Sequence, residues 1–477
     1  MLRLASVIAV VTLTVAGSYG ASAQTSTKSA ENPVTFTKDV LPILQQSCQS
    51  CHRPGQVGPM PLLTYEQVRP WARAIRTQIV ARTMPPWHAD RRYGHFENDR
   101  SLKQTEIDTI VTWIDLGAPQ GNPQDAPAPV AWPPAGWQIQ PDVVVTLPPY
   151  EVAANATIEW ENLAVPSPFT EDTWVTSIEI LPSDHSTVHH LCFGFQPHRD
   201  DIVYNRYEWA EIPRDEYGAA VKSRPDPAAS SGQAQSLQSP KETWVLTRDA
   251  GSREVIRKPG KPSIMAGGGT CYVPGMAVHD YRPYGAAILV RGGSDLLLNL
   301  HYQTVGKPVT NTVRMGFTVA KAPPKKKIVM LAGATRNLAI PPNEPDYVTA
   351  PAEFKLMKDV ELIWFSPHMH VRGKEMTWSA KYPDGRNEIL LRVAPYQYNW
   401  QIQYHTRLPI PAGTSISVVA RFDNSSRNKA NPNPNVWVYE GNQAWEEMMG
   451  GGTWFVVDAD VNERELTARP ARPVPGV

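Results

Sequence analysis

Residues 295–303 read Asp-Leu-Leu-Leu-Asn-Leu-His-Tyr-Gln. At a period of two, Leu296, Leu298 and Leu300 share one face, and Asn299, His301 and Gln303 share the other. This is the pattern of a half-buried antiparallel strand, apolar towards a core and polar away from it. The alternation recurs in Trp174, Thr176, Ile178 and Ile180, and again in Val313, Met315, Phe317 and Val319. Residues 151–320 are therefore expected to form one antiparallel β-sandwich. Residues 321–327 (KAPPKKK) read as a short linker with solvated lysines. Alternation then resumes over 328–465 as a second sandwich of similar size. Residues 199–267 interrupt the first sandwich with a polar, Ser/Gln/Pro-rich insertion, expected to be a mobile loop excursion.

The 477-residue chain balances 46 basic against 46 acidic side chains, so it offers no basic field to a nucleic acid. Its 46 prolines disfavour a coiled coil or an all-helical bundle. Four cysteines cannot staple a chain this long; 15 tryptophans and a 42% hydrophobic fraction supply cores instead. At the start, Arg3 precedes an apolar run from Leu4 to Gly17, and Ala21-Ser22-Ala23 offers a small-x-small cleavage site. Residues 1–23 are read as a signal peptide, because the run falls short of the ~20 residues a bilayer span needs. The mature protein is expected to be periplasmic or secreted, with no membrane span and in an oxidising compartment.

Residues 33–120 read as helical. Ile107, Ile110, Val111 and Ile114 fall at helical spacing beside Trp113, and Ser101 with Gln104 has the form of a capping box. Residues 121–150 are rich in Pro, Ala and Gly and read as a semi-rigid linker. Within the helical block, Cys48-Gln49-Ser50-Cys51-His52 is a CxxCH sequence. Two thiols at this spacing reach both vinyl groups of one haem, and the adjacent histidine supplies an axial iron ligand. A redox dithiol does not need His52, and no second CxxC completes a zinc site. Met84, stiffened by the two following prolines, is the preferred sixth ligand; Met60 and His88 are its rivals. With "FTKDVLPILQQSCQSCH", "MPPW" and "WIDLGAP", residues 34–120 resemble a cytochrome c domain. The expected architecture is thus a small all-α cytochrome c domain followed by two antiparallel β-sandwiches.

Five of the 12 histidines form a second constellation: His189-His190, His301, and His368-Met369-His370. If 362–371 is a strand, Leu362, Trp364, Ser366, His368 and His370 share a face, and the HxH pair sets two imidazoles side by side for one metal. His189 and His190 would point to opposite faces of a regular strand, so sharing a metal requires a bulge or different ring nitrogens. A blue-copper reading built on Cys192 fails on motif order, since its Cys follows the histidines and no Met is close behind.

The stretches "TVHHLCFGF", "LNLHYQ", "SPHMHVRGKEM" and "WEEMMGGG" occur in the order of the copper motifs of peptidylglycine α-hydroxylating monooxygenase and dopamine β-monooxygenase. Residues 155–460 resemble that family, with 199–267 as a departure. The resemblance implies two jelly-roll-like domains with one copper on each. One copper would lie at His189, His190 and His301, and the other at His368, His370 and Met448. Met448 rather than Met449 follows from matching "EEM". The resemblance also implies hydroxylation of a substrate C–H bond with O2, the first copper passing an electron and the second binding oxygen. Cys192 and Cys271 remain as a candidate disulfide in an oxidising compartment.

Together these readings predict two coppers and one covalent haem c. The haem would take electrons from an external donor and pass them to the first copper, with the linker raising its local concentration. The substrate would be small or peptide-like. A non-hydroxylating electron-transfer or copper-binding protein is the alternative.

Overall fold

The computed structural model describes residues 33–132, 136–156, 158, 161–198, 270–335, 338–441 and 443–468. The signal peptide and the insertion 199–267 lie outside the described residues. Six strands position the site: β1 (Val188–Gln196), β2 (Cys271–Tyr272), β3 (Asp295–Tyr302), β4 (Lys326–Thr335), β5 (Val360–His368) and β6 (Met449–Asp458).

In the first sandwich, Glu161–Pro166, β3, β1 and β2 form a four-stranded sheet. It packs on Val143–Thr146, Val313–Val319, Thr173–Pro182 and Ala286–Val290. The inward residues are those the alternation selects: Leu296, Leu298, Leu300, Ile178, Ile180, Met315 and Phe317 share one apolar cluster. The other face of β3 is buried too, with Leu297 and Asn299 nearly inaccessible, so this strand is covered on both sides rather than half-solvated. Val143–Thr146, within the stretch read as a linker, pairs with Val313–Val319 as an edge strand.

The second sandwich sets β4, β6, β5 and Tyr404–Ile410 against a sheet containing Gly373–Lys381, Asn387–Val393 and Ser415–Phe422. Gly333 of β4 faces Gly451 of β6; a Cβ on either would collide with Val418. These glycines let the two sheets approach. The two sandwiches are not beads on a string. Lys326 and Lys327 pair in parallel with Ala286 and Ala287, which makes one continuous nine-stranded sheet. Lys327 is mostly buried and donates to the Val461 carbonyl at 2.7 Å. Along β6, Trp454 and Val456 enter the first core while Phe455 and Val457 enter the second.

The expected all-α cytochrome c domain is not present. The α-helices α1 (Leu41–Ser47), α2 (Tyr65–Val68), α3 (Ala72–Val80) and α4 (Gln104–Asp115) have 7, 4, 9 and 12 residues; the 3-10 turn Arg69–Trp71 joins α2 to α3, and longer irregular chain joins the others. Ile107, Ile110 and Trp113 of α4 do face a small apolar cluster. The cap lies two residues beyond the expected Ser101: Glu106 accepts from the Lys103 amide at 2.7 Å. The connection between α3 and α4 leaves this cluster and returns to it at Leu102. Trp87 and Ala89 are buried in the second sandwich, Ala89 bridges to Val393, and Phe96 packs on Phe365 and Tyr404. Periodicity within a helix is blind to such docking: the helices pack on their own small cluster, and the segment between α3 and α4 ties them to the second sandwich core. No described helix is long and apolar enough to cross a membrane.

Candidate metal centre

In β1, Val188 pairs with Tyr302 and His190 pairs with His301, which leaves His189 as an extra residue. This is the bulge that a shared metal demands, because without it the two imidazoles would diverge. The ring of His189 lies 5.2 Å from that of His190 and 5.1 Å from that of His301, and His190 lies 5.4 Å from His301. A ligand nitrogen from each residue falls within 4.8 Å of the others. The Nδ1 atoms of His189 and His190 are 2.9 Å apart. Two nitrogens held at right angles by bonds of ~2.0–2.1 Å to one ion stand about 2.9 Å apart, so the spacing suits a common metal.

The second set comes from the end of β5. Trp364, Ser366 and His368 pair with Trp454, Gly452 and Gly450. The register slips between Leu362 and Trp364. Leu362 therefore faces the second core and Trp364 the first, which corrects the expectation that both share the histidine face. The rings of His368 and His370 are 5.2 Å apart. One Glu447 carboxyl oxygen accepts from the amides of both His370 and Met448, which ties Met448 to the HxH turn. Met449, by contrast, is 1% exposed and belongs to the second core. Of the adjacent methionines, Met448 is the one not committed to packing there.

The two sets adjoin. His190 of the first sandwich and His368 of the second have ring centroids 6.2 Å apart, so the five histidines form one cluster at the seam. Burial pushes the His189 imidazole down to about 3, with His301 adding to the effect, and pushes His301 down to about 4. His190 and His370 are driven well below the usual range, mainly by burial, and His368 is lowered by burial as well. All five are therefore neutral at pH 7 and offer lone pairs to a metal.

Neighbours fix which nitrogen is offered. His368 Nδ1–H donates to Gln401 Oε1 at 2.6 Å, and His370 Nδ1–H donates to the Glu446 carbonyl at 3.2 Å. Both arrangements leave Nε2 for the ligand role. Glu447 is fully buried, and its carboxyl oxygens accept from the amides of His370 (2.9 Å), Arg372 (2.6 Å) and Met448 (3.3 Å). Burial raises its carboxyl to about 8, against the opposing pull of those amides and of Arg372. Beside the cluster runs a cleft of about 260 Å³, with His301, Gln303 and Thr304 on one wall and Gln443, Ala444 and Trp445 on the other.

The Cys192–Cys271 disulfide is formed, two residues beyond His190. At the other motif, Cys48 and Cys51 are free thiols on the turn after α1. Burial, helped by Cys51, pushes the Cys48 thiol up to about 12. His52 Nδ1–H donates to the Met60 carbonyl at 3.1 Å, which leaves Nε2 for an axial bond and puts the Met60 backbone behind the ring. Cys51 Sγ packs against Gly275, where φ is +80° and a Cβ would stand 2.9 Å from the sulfur. Met84 is half-buried and lies outside the apolar cluster that contains Cys48 and Met60. His88 is tied to the second sandwich through its carbonyl, which accepts from Ala394, and burial pushes its imidazole down to about 4. Sequence reasoning missed Gln401, Tyr398 and Arg372; only "EEM" gave any signal, for Glu447.

No protein-family profile matches the chain, and no curated protein matches it. Three solved structures are weakly similar. Infectious bursal disease virus, Gx strain, is 9% identical over 69% of this chain and 74% of that one, with a TM-score of 0.17. The VP2 subviral particle of infectious bursal disease virus is 8% identical over 69% and 75%, with a TM-score of 0.17. A Paenibacillus xanthan lyase is 9% identical over 71% of this chain and 27% of its own, with a TM-score of 0.15. Likeness this slight carries no argument about this protein.

Proposed function

We propose that the chain is an exported copper-dependent monooxygenase that hydroxylates a C–H bond of a small or peptide-like substrate. The overall change is RH + O2 + 2 electrons + 2 protons giving ROH + H2O, with the electrons drawn from an external donor. The observation that carries this reading is the juxtaposition of two histidine sets, with the His190 and His368 rings 6.2 Å apart, from motifs in the order of the monooxygenase family.

His189, His190 and His301 would hold one copper, and His368, His370 and Met448 the other. Two imidazoles with a thioether favour Cu(I) over hard cations. Bound copper would supply one-electron chemistry and a site for O2. Gln401 and the Glu446 carbonyl orient the second set, and Glu447 ties the HxH turn to the Met448 strand. The cleft beside His301 gives a substrate a path to the seam. One haem attached at Cys48 and Cys51, with His52 as axial ligand, would supply a one-electron store; the hydrogen bond from His52 to Met60 suits that role.

Metal analysis of the purified protein is expected to give two coppers and one haem per chain, with substrate-dependent O2 uptake. Met448→Ala is expected to abolish uptake and leave the haem spectrum unchanged. Bound copper without uptake on any C–H compound would favour the electron-carrier alternative, and an absence of bound copper would end the monooxygenase reading.

A further inference from the structure

Residues 396–401 read Tyr-Gln-Tyr-Asn-Trp-Gln and follow the strand Asn387–Val393 of the second sandwich. None of them is a candidate ligand, yet together they touch both histidine sets. The Tyr396 hydroxyl accepts from the Met369 amide at 3.0 Å and donates to the Met369 carbonyl at 2.7 Å, clamping the residue between His368 and His370. Gln401 accepts from His368 and donates through Nε2 to the Tyr398 carbonyl at 3.4 Å. In the other direction, the Tyr398 ring lies 4.9 Å from that of His189, tilted by 30°, and its hydroxyl is 3.4 Å from His301 Nδ1. The same ring is 6.3 Å from that of His370, and the Asn399 side chain adjoins the His189 imidazole.

A group that holds the second nitrogen of a ligand imidazole sets the direction of that ring. Here one short segment does so on both sides of the seam. Its middle is fixed by a turn, with the Trp400 amide donating to the Gln397 carbonyl at 2.9 Å. A ring displaced at one set must therefore move the segment, or be resisted by its grip on the other set. That is a physical connection between the sites, not mere proximity.

We propose that residues 396–401 are a coupling strap, so that copper at either histidine set raises the affinity of the other through this segment. The proposal rests on the two-copper reading above. Coupling is reciprocal and typically ~5–150-fold between linked sites. The test is an anaerobic Cu(I) titration of the full protein against a chromophoric chelator. His190→Ala disables the first set and is expected to weaken Cu(I) at the second about tenfold. With Tyr398→Phe and Asn399→Ala also present, His190→Ala is expected to change the second site less than about twofold. If the double strap variant fails to fold, Tyr398→Phe alone retains the ring and is expected to cut the effect to about threefold. A tenfold effect that persists in either strap variant overturns the proposal, as does no effect in the otherwise native protein. Stoichiometry separates the two levels: two coppers bound without linkage refute the strap alone, whereas no copper at His368 and His370 refutes the two-copper reading.

Discussion

The disulfide next to the HH pair gives the most quantitative expectation. Cys192 and Cys271 are paired residues of β1 and β2, 79 positions apart in sequence. Cross-linking residues at that separation removes loop entropy from the unfolded chain worth about 4.5 kcal/mol at 25 °C. The double Cys192→Ser/Cys271→Ser variant is therefore expected to lose about 4–5 kcal/mol in urea unfolding, with Cys48 and Cys51 left untouched. The histidines should tolerate the loss. β1 pairs with β3 along nearly its whole length, from Val188 to Gln196, whereas its pairing with β2 covers only Leu191 and Cys192. The ladder to β3, not the disulfide, holds His189 and His190 beside His301. Metal content of the folded variant is accordingly expected to be unchanged. A fall in stability of less than about 1.5 kcal/mol would rule out loop closure as the disulfide's role, and loss of copper from a folded variant would show that the β3 ladder alone does not hold the histidines.

Two further outcomes follow from burial. Met449→Ala empties a core position and is expected to cost about 2–5 kcal/mol while sparing copper at the second set; Met448→Ala should do the reverse, and calorimetry with metal analysis on both variants checks the contrast. His279 and His405 flank Trp364, and burial pushes each down to about 3, His405 adding to the effect on His279 and Arg100 to that on His405. A folded-state value below the unfolded ~6.5 gives full stability above pH 6.5 and a loss as pH falls towards 3. Between pH 7 and pH 5 each ring contributes about 2 kcal/mol of that loss. Urea midpoints for His405→Asn should show a pH dependence smaller by about that amount, and an identical slope would contradict the assignment.

How far the sequence predicts this molecule depends on the range of the interaction. Strand alternation is local, so Leu296, Leu298 and Leu300 are correctly assigned to a core. A one-residue slip defeats the same logic, as Leu362 and Trp364 show, because period two carries no record of a bulge. The bulge at His189 was foreseeable only because a chemical requirement, two rings on one metal, demanded it. Helical spacing found Ile107, Ile110 and Trp113, but gave no sign that Trp87 and Phe96 pack into a sandwich far along the chain. The strap escaped notice because Tyr, Asn and Gln in a loop have no spacing signature; only folding sets them against the histidines.

The fixed seam also bears on the proposed electron delivery. A tethered carrier works by effective concentration, and its success depends on linker length. In this structure the chain between α3 and α4 is anchored in the second core by Trp87, Ala89 and Phe96, and Cys51 packs against Gly275 in the hairpin that follows β2. β2 pairs with β1 at Leu191, the residue after His190. The thiol of the CxxCH motif and the first histidine set are thus joined by packed backbone rather than by a swinging linker. Shortening or lengthening the exposed stretch 126–131, ahead of the edge strand Val143–Thr146, should leave any exchange between them unaffected, whereas a side chain at Gly275, where φ is positive and Cys51 is in contact, should disturb it directly.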